Sequence, residues 1–307
     1  MENLKIDFAV VVIAFNSEET IISTLESIKK QTVDKKKIHL IIADDASKDG
    51  TILVVEKWLE EYKDVFGRVT FIKSEINCGV SGNFNKGVRA SREEWIKTIA
   101  ADDILHEDCL RVNKNFLDVS GGEICFSPVM VFHERVGDSK EVFFKSSFFE
   151  KNAYEQNKIL IKKNFVYAPS LFVSRRLLLS FGIADERFPM IEDYPLWFKL
   201  TKNGVHLKAH KTPLVYYRVN ESLSLGKNRI ANTKFLDSFF YFRRKVVWPE
   251  LKEFSFLYKY NDVLTHFALK TAVILFKNKK SIFSNLYIYM LYLTSPVKIC
   301  HFFNKYK

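Results

Sequence analysis

Three pairs of adjacent carboxylates have residue types and spacing suited to chemistry on phosphates and hydroxyl groups. They are Asp44 with Asp45, Asp102 with Asp103, and Glu192 with Asp193. Neighbouring carboxylates repel each other, so a nearby cation stabilises such a pair. A hard divalent cation that carries phosphate oxygens suits Asp102 and Asp103. The alternative for these two residues is a cap on the following helix, which needs no metal.

The segments before the first two pairs predict buried strands of a parallel sheet. Four apolar stretches rich in strand-forming residues alternate with helix-like stretches, at residues 6–14, 38–43, 69–72 and 95–99. This alternation predicts βαβ units and a doubly wound α/β fold. Asp44 and Asp102 then follow the carboxyl ends of strands, which is the edge where open α/β sheets bind ligands.

The second half of the chain is less regular in pattern. Residues 124–132 and 214–218 predict strands, whereas the aromatic stretch 142–149 fits neither a helix nor a strand clearly. Nearer the start, Ser17 is the predicted N-cap of the first helix. The Gly- and Asn-rich loop at residues 77–87 opens a further helix.

The charge of the 307-residue chain is unevenly distributed. Residues 1–226 hold 32 Lys and Arg and 32 Asp and Glu, so the whole net charge of +11 belongs to residues 227–307. This pattern argues against nucleic acid as a partner of the whole protein and indicates a local basic surface. The sequence therefore predicts a domain at residues 1–226 and a separate tail at residues 227–307.

The tail, residues 227–307, also carries 19 of the 45 aromatic residues. Its basic and aromatic stretches predict two or three amphipathic helices, which suit an anionic membrane surface. Packing on the first domain, or on another subunit of a homo-oligomer, is the open alternative. No apolar run reaches the roughly 18 residues that span a bilayer. The start of the chain lacks a signal peptide's apolar segment, and the four scattered cysteines suit a reducing cytosol.

Taken together, the motifs resemble the family 2 glycosyltransferases, inverting enzymes of the GT-A fold that include bacterial polysaccharide-biosynthesis proteins. The resemblance runs from residue 6 to residue 224 and rests on five segments in the family's order: VVVIAFN at 10–16, DDASKDGT at 44–51, NCGVSGNFNKG at 77–87, AADD at 100–103 and EDYPLWFKL at 192–200. It implies a GT-A-like (Rossmann-like), mostly parallel central sheet flanked by helices, followed by the C-terminal helical tail. Residues 1–105 would form the nucleotide-binding half and residues 106–226 the acceptor half.

The resemblance also implies a nucleotide-sugar site. Asp45 would accept a hydrogen bond from the uracil N–H with Asp44 nearby, and Asp102 would face the ribose. Asp103 would coordinate Mn²⁺ or Mg²⁺, which bridges the diphosphate and neutralises charge on the departing UDP. The other residues implied to bind the nucleotide sugar are Ala14, Asn16, Asn77, Gly79 and Asn85.

Asp193 is the implied general base, which would deprotonate the acceptor hydroxyl as it attacks the anomeric carbon. Capping of a helix start is the alternative role for this residue. The chain departs from the family pattern at Ala100, where many members have Asp, and at Phe84, where many have Arg. Because Phe84 replaces this arginine, the resemblance implies that a phosphate contact comes from another residue. Further candidates for the site are Glu192, Lys86 and Arg218.

The sequence thus predicts inverting transfer of a sugar from a UDP-sugar to a saccharide acceptor carried by a polyprenyl diphosphate, in O-antigen or capsule synthesis. Such an acceptor and the basic tail predict a cytoplasmic enzyme at the inner face of the cell membrane. Two alternatives remain: a receiver-like signalling domain that binds Mg²⁺ at its Asp cluster, and a non-catalytic nucleotide- or sugar-binding module on the same fold.

Overall fold

The computed structural model describes residues 5–141, 144–219, 228–251 and 255–295. The chain separates into two compact units, Met1–Val219 and Asn220–Lys307. The boundary predicted at residue 226 lies outside the described residues, as do residues 142 and 143 of the aromatic stretch. The two units are therefore considered one at a time.

The described residues of the first unit form eleven strands in two sheets. The strands are β1 (Phe8–Ala14), β2 (Ile38–Asp44), β3 (Arg68–Lys73), β4 (Trp95–Ala100), β5 (Ile104–Leu105), β6 (Ile124–Phe126), β7 (Val129–Phe132), β8 (Lys140–Glu141), β9 (Phe172–Ser174), β10 (Lys208–Ala209) and β11 (Val215–Arg218). The larger sheet has the spatial order β10-β6-β9-β4-β1-β2-β3. Its strands β4, β1, β2 and β3 are parallel, whereas β9 runs antiparallel to both β4 and β6.

Helices connect and cover these strands. They are α1 (Ile21–Lys29), α2 (Thr51–Tyr62), α3 (Gly79–Ala90), α4 (Cys109–Ser120), α5 (Ser146–Phe149), α6 (Ala153–Lys162), α7 (Arg175–Ser180) and α8 (Asp193–Lys202). Every residue of β2 is buried, as is nearly every residue of β1. Strands that are covered on both faces have continuous apolar sequences. The sequence therefore predicted β1 and β2 well. The predicted mostly parallel α/β sheet with flanking helices is confirmed.

The smaller sheet brings the second half of the unit next to the acidic pair Asp102 and Asp103. Its order is β5-β11-β7-β8, and β11 runs antiparallel to β5, with Tyr216 opposite Ile104. The single strand predicted at residues 124–132 is wrong, because β6 and β7 belong to different sheets. Pro128 lies between them and has no N–H for a strand ladder, so the strand ends there.

The described residues of the second unit form three longer helices, as the sequence predicted for the tail. They are α9 (Thr233–Phe242), α10 (Ser255–Leu275) and α11 (Ile282–Tyr292). The buried Arg243 follows α9 and donates to Asp262 of α10 with an Nε–Oδ2 distance of 3.0 Å. Trp248 Nε1 donates to the same oxygen at 2.9 Å. Across the described parts of the chain, no helix has the length and apolarity needed to cross a membrane.

Candidate active site

The loops that follow β1 and β2 are joined by hydrogen bonds at the carboxyl edge of the sheet. The backbone N–H of Asn16 donates to Ser47 Oγ at 2.9 Å, and the N–H of Lys48 donates to Asn16 Oδ1 at 2.8 Å. The N–H of Ser17 donates to Thr51 Oγ1 at 2.7 Å. Asn16 is exposed and has a positive φ of 49°, so its side chain sits in a fixed turn at the edge where a ligand would approach.

Ser17 is not the N-cap that the sequence predicted. Helix α1 begins further along, with Thr20 in the cap position and no capping bond from its side chain. Thr20 Oγ1 instead donates to the carbonyl of Ala101 at 2.9 Å, and Thr24 Oγ1 donates to the carbonyl of Asp103 at 2.7 Å. These two threonines of α1 hold the loop that carries the second acidic pair.

Asp44 and Asp45 are both buried, and their carboxylates already have partners. Asp44 accepts hydrogen bonds from the N–H and the hydroxyl of Ser47. Asp45 accepts from the N–H of Cys78 and from the N–H of Gly79, each at 2.9 Å, and these amides open helix α3. The positive end of the α3 dipole favours a carboxylate at this position. Asp45 therefore fixes the start of α3.

Asp45 has a structural role beside the one expected from the sequence. Each of its two oxygens accepts a backbone N–H, and the residue is only 2% exposed. Asp44 is fully buried as well. The amides at a helix start need acceptors, and Asp45 supplies them here. Its contact with the uracil N–H stays a prediction.

Three other predicted nucleotide-sugar residues contact Asp45. The carbonyl of Ala14 accepts from the N–H of Asp45 at 3.0 Å. Asn77 Nδ2 donates to the carbonyl of Asp45 at 3.0 Å. Gly79 has a φ of +77°, and an added Cβ there would lie 2.5 Å from the carbonyl oxygen of Pro189. The loop therefore needs glycine at this position for backbone reasons.

Asn85 joins α3 to the segment at residues 184–186. Its Nδ2 donates to the carbonyl of Ala184 at 3.0 Å and to Glu186 at 2.7 Å, and its Oδ1 accepts from the N–H of Ala184 at 3.0 Å. The buried side chain thus uses both of its polar atoms within the protein, and its contact with the nucleotide sugar stays a prediction. Lys86, the candidate phosphate ligand, donates to Ser74 Oγ at 2.7 Å.

Asp102 and Asp103 follow β4, as predicted, and Arg218 of β11 contacts both. The backbone N–H of Arg218 donates to Asp103 Oδ1 at 2.9 Å, although the two residues are 115 positions apart. The Arg218 Nε donates to the carbonyl oxygen of Asp102 at 2.8 Å. The strand pairing of β11 with β5 creates this contact, so the second half of the unit completes the acidic loop.

The two carboxylates of this pair differ in accessibility. Asp103 is completely buried, and its Oδ2 has no hydrogen-bond partner, whereas Asp102 is half-buried. Burial raises the pKa of Asp103 well above its usual range, and the neighbouring charge of Asp102 adds to the effect. Burial also raises the pKa of Asp102. Asp102 is thus the more accessible carboxylate of the pair, and Asp103 lies behind it; the division of roles expected from the motif stays a prediction.

The acidic pair is suited to a divalent cation, but it is not a complete metal site. An unpartnered, buried carboxylate oxygen beside a second carboxylate is the kind of group that a cation or a proton stabilises. Among the described residues, no cluster of three or more His, Cys, Asp or Glu side chains could hold a metal ion. A cation here would take its other ligands from a bound diphosphate and water, as Mg²⁺ commonly does.

The third acidic pair lies at the start of α8. Burial raises the pKa of Glu192 to about 8, and the charge of Asp193 contributes further. Burial also raises the pKa of Asp193. Asp193 Oδ2 accepts a hydrogen bond from Asn164 Nδ2 at 2.9 Å, which favours its charged form. Both acids keep some exposed surface and line a small cavity together with Trp197.

Phe84 occupies the inner side of that cavity. It is almost completely buried, and the cavity is otherwise lined by Thr98, Ala168, Leu171 and Leu196. The aromatic side chain that stands where many relatives have arginine therefore packs in the core behind Asp193. It offers no positive charge there, whereas Arg218 lies at the acidic pair and donates to the carbonyl of Asp102.

A short loop brings the two acidic sites into one region. Asn164 contacts Asp193, and its Oδ1 accepts from the N–H of Val166 at 3.0 Å. The next residue, Tyr167, places its ring 6.0 Å from the ring of Tyr217, measured between centroids. Tyr217 directly precedes Arg218, which binds Asp103. No sequence motif singled out Asn164 or Tyr167, whereas Tyr217 lies where the family resemblance places residues near the diphosphate, with a plain strand end as the alternative.

Comparison with known proteins decides the family. The model of "Glycosyl transferase family 2" matches residues 9–179, which is more than half of the chain. The chain belongs to glycosyl transferase family 2. It is an enzyme that transfers glycosyl groups, and curated relatives from several bacteria agree. The receiver-like and non-catalytic interpretations are not supported.

Two relatives illustrate the similarity of this family 2 glycosyltransferase to proteins of polysaccharide synthesis. WfaP of Escherichia coli, a UDP-Glc:alpha-D-GlcNAc-diphosphoundecaprenol beta-1,3-glucosyltransferase, is 27% identical over 71% of this chain and 80% of its own. AmsB of Erwinia amylovora, an amylovoran biosynthesis glycosyltransferase, is 25% identical over 70% of both chains. The likeness thus extends well beyond single motifs.

A solved structure supports the fold. Residues 1–349 of TarS from Staphylococcus aureus, crystallised in complex with UDP, superpose with a TM-score of 0.59 at 20% identity. The match covers 85% of this family 2 glycosyltransferase and 72% of the TarS chain. At this level of identity the comparison shows the shared fold, and the site residues rest on the geometry described above.

Proposed function

We propose that this family 2 glycosyltransferase moves a sugar from a UDP-sugar to a lipid-linked saccharide acceptor, with inversion at the anomeric carbon. The loop that joins the two acidic sites carries this proposal. Through Asn164 and Tyr167 it places Asp193 and the Asp102–Asp103 pair around Tyr217. Burial is the largest cause of the raised pKa of Tyr217, and the negative charges of all three aspartates raise this pKa further.

Asp193 is the general base of the proposed reaction. It takes the proton of the acceptor hydroxyl while the acceptor oxygen bonds to the anomeric carbon. The bond between that carbon and the UDP oxygen breaks at the same time, and UDP departs on the opposite face. Base catalysis of this kind requires an ionised carboxylate within hydrogen-bond reach of the hydroxyl. The hydrogen bond from Asn164 supports the ionised form.

Asp102 and Asp103 are the proposed residues for Mn²⁺ or Mg²⁺. The cation supplies Lewis-acid stabilisation of the charge on the departing diphosphate when it is bound. Asp102 contacts the bound cation, and Asp103 lies behind Asp102 in the protein interior. Arg218 adds a fixed positive charge at the same loop. Asn16 and Phe15 are exposed after β1, at the edge where the nucleotide would lie.

Relatives support the donor and the acceptor classes. WfaP is named for a UDP-Glc donor and a diphosphoundecaprenol-linked acceptor, and TarS has been crystallised with UDP and with UDP-GlcNAc. A polyprenyl-diphosphate acceptor resides in a membrane. We therefore place the enzyme in the cytoplasm at the inner face of the cell membrane, in the synthesis of a cell-surface polysaccharide such as O-antigen or capsule.

Product analysis tests this proposal. A panel of UDP-sugars is incubated with saccharide-diphosphate-lipid acceptors and Mn²⁺, and both UDP release and the anomeric configuration of the product are measured. Wild type should release UDP and form a product of inverted configuration. The variant Asp193→Asn should lose turnover, and the exposed control Asp118→Asn should keep it. Retention of configuration, or full turnover by Asp193→Asn, would overturn the proposed mechanism.

A further inference from the structure

The second unit exposes large apolar side chains along one side of α10. They are Phe256, Tyr260, Val263, Phe267 and Ile274, and each is between 45% and 75% exposed. Their spacing of three, four or seven residues places them on one stripe of the helix. A stripe of this kind on a folded helix normally packs against something.

Helix α11 continues the exposed apolar surface. Its exposed side chains, 54% to 84% accessible, are Ile282, Phe283, Leu286, Tyr289 and Met290, and Leu293 follows the helix end. The helix contains no charged residue from Ile282 to Tyr292. We refer to these residues, together with the α10 stripe, as the α10–α11 surface. Helices α10 and α11 pack against each other. Exposed apolar patches on soluble proteins mark contacts with partners or membranes.

Three lysines lie in the turn that joins these helices. Lys277, Lys279 and Lys280 are exposed, and no carboxylate of the described residues lies within ion-pair distance of them. The turn has a fixed shape, because Asn278 Oδ1 accepts from the backbone N–H groups of Ile230 and Ala231, each at 3.1 Å. The three exposed lysines therefore lie within four consecutive residues of a fixed turn, just before α11.

The charges of the α10–α11 surface indicate which kind of partner covers it. Residues 263–295 contain four lysines and no Asp or Glu, so this part of the surface is apolar and positively charged. A second copy of the chain would bring the same lysines to the contact and no carboxylates to pair with them. An anionic lipid surface supplies both an apolar layer and the negative charges that attract lysines.

The length of α11 excludes a spanning role and suits a helix that lies flat. Its 11 residues extend about 16 Å, against a hydrocarbon core of about 30 Å. Tyr289 and the flanking lysines have the amphipathic character found at the boundary between headgroups and acyl chains. A helix lying in this boundary buries its apolar side and keeps its ends hydrated.

We infer that the α10–α11 surface is the part of this protein that lies on an anionic lipid bilayer, with α11 in the interface and Lys277, Lys279 and Lys280 on the headgroups. The inference deepens the proposed membrane location by naming the contact. It rests on the proposed function only for its biological setting, because vesicle binding needs neither donor nor acceptor.

Vesicle sedimentation tests the contact. The full chain is mixed with vesicles of phosphatidylcholine and phosphatidylglycerol in equal amounts, and with phosphatidylcholine alone. Wild type should bind the anionic vesicles and release them as salt rises. Lys279→Glu with Lys280→Glu should weaken binding by at least about fivefold per lysine, since each lysine near an anionic surface contributes about 1 kcal/mol. Phe283→Ser with Met290→Ser should weaken it by at least about tenfold.

The matched controls lie on α2 of the first unit. Leu53 is 70% exposed and Lys57 is exposed, so Leu53→Ser and Lys57→Glu repeat the same changes of chemistry away from the α10–α11 surface. Both controls should bind vesicles as the wild type does. Equal binding by the α10–α11 variants would overturn the inference. So would a change of oligomeric state without any change in vesicle binding, which would indicate a second copy.

A measurement on the unmodified protein covers the case in which a variant does not fold. Lysine acylation followed by mass spectrometry compares labelling with and without the anionic vesicles. Lys277, Lys279 and Lys280 should be protected by vesicles, and Lys57 should be labelled equally in both samples. Unprotected turn lysines in a sedimenting protein would contradict the inference. UDP release measured on the same samples shows separately whether the transfer proposal holds.

Discussion

Asn164 donates a hydrogen bond to Asp193 across 29 positions of sequence, with 2.9 Å between Nδ2 and Oδ2. The orientation of the amide is fixed, because Asn164 Oδ1 accepts from the N–H of Val166 at 3.0 Å. The donor therefore points at the carboxylate, and a hydrogen bond of this kind favours the charged form. Burial raises the pKa of Asp193, and this bond works against that effect.

The first prediction concerns the acid limb of the pH–rate profile. A general base is active when it is deprotonated, so activity falls as the pH drops through the pKa of Asp193. Asn164→Ala removes a hydrogen bond that favours the charged form, so the pKa should rise. The acid limb of kcat/KM should move to higher pH by about one unit or more, since a hydrogen bond to a charged group is worth about 1.5–3 kcal/mol.

Two further variants separate this effect from a general loss of structure. Asn164→Asp puts a second negative charge beside Asp193 and should move the acid limb further than the alanine variant does. Asn115→Ala removes an exposed asparagine of α4 and should leave the profile unchanged. An unshifted acid limb in both Asn164 variants would mean that Asn164 does not influence the base.

The second prediction concerns Glu192, whose pKa burial raises to about 8. A carboxyl group with a raised pKa in the folded state stabilises the fold at low pH. That stability is lost as the pH rises from the unfolded value of about 4.3 through 8. Glu192→Gln mimics the neutral acid, so its melting temperature should exceed that of wild type at pH 9 by several degrees. At pH 4 the two proteins should differ little, and an equal gap at both values would refute the titration.

The third prediction concerns Asp45, which accepts two amides at the start of α3. Asp45→Asn replaces one acceptor oxygen with a donor that faces an N–H group. The free energy of unfolding should fall by about 2 kcal/mol, because a buried donor loses its partner. Thermal unfolding measures this, with the exposed Asp64→Asn as the control. A stable variant that binds UDP poorly would support the base-recognition role predicted for Asp45 from the sequence.

The parts of the fold that the sequence predicted correctly are those governed by local patterns. Strands β1, β2 and β4 are continuous apolar runs because both of their faces are covered, and the acidic residues that follow them come at strand ends. The family resemblance added the order of the motifs. The single strand predicted at residues 124–132 failed because apolar residues on both sides of Pro128 hid a change of sheet.

The contacts that the sequence could not predict join distant residues. Arg218 meets Asp103 only because β11 pairs with β5, and Asn164 lies in an irregular segment without a motif. Asp45 and Asn85 were polar residues in the expected positions, but their partners are backbone groups of α3 and of residue 184. Polar residues near a site serve either ligands or backbone groups, and only the three-dimensional arrangement shows which.

The central claim is that the Asp102–Asp103 pair binds the donor with a cation, whereas Asp193 acts in the chemical step. UDP affinity with and without Mn²⁺, together with turnover, should be measured for wild type, Asp102→Asn and Asp193→Asn. Asp193→Asn should keep its Mn²⁺-dependent UDP affinity and lose about 10²- to 10⁴-fold in turnover. Asp102→Asn should lose the Mn²⁺-dependent part of UDP affinity. Wild-type turnover in Asp193→Asn, or a UDP affinity of wild type that does not respond to Mn²⁺, would contradict the account.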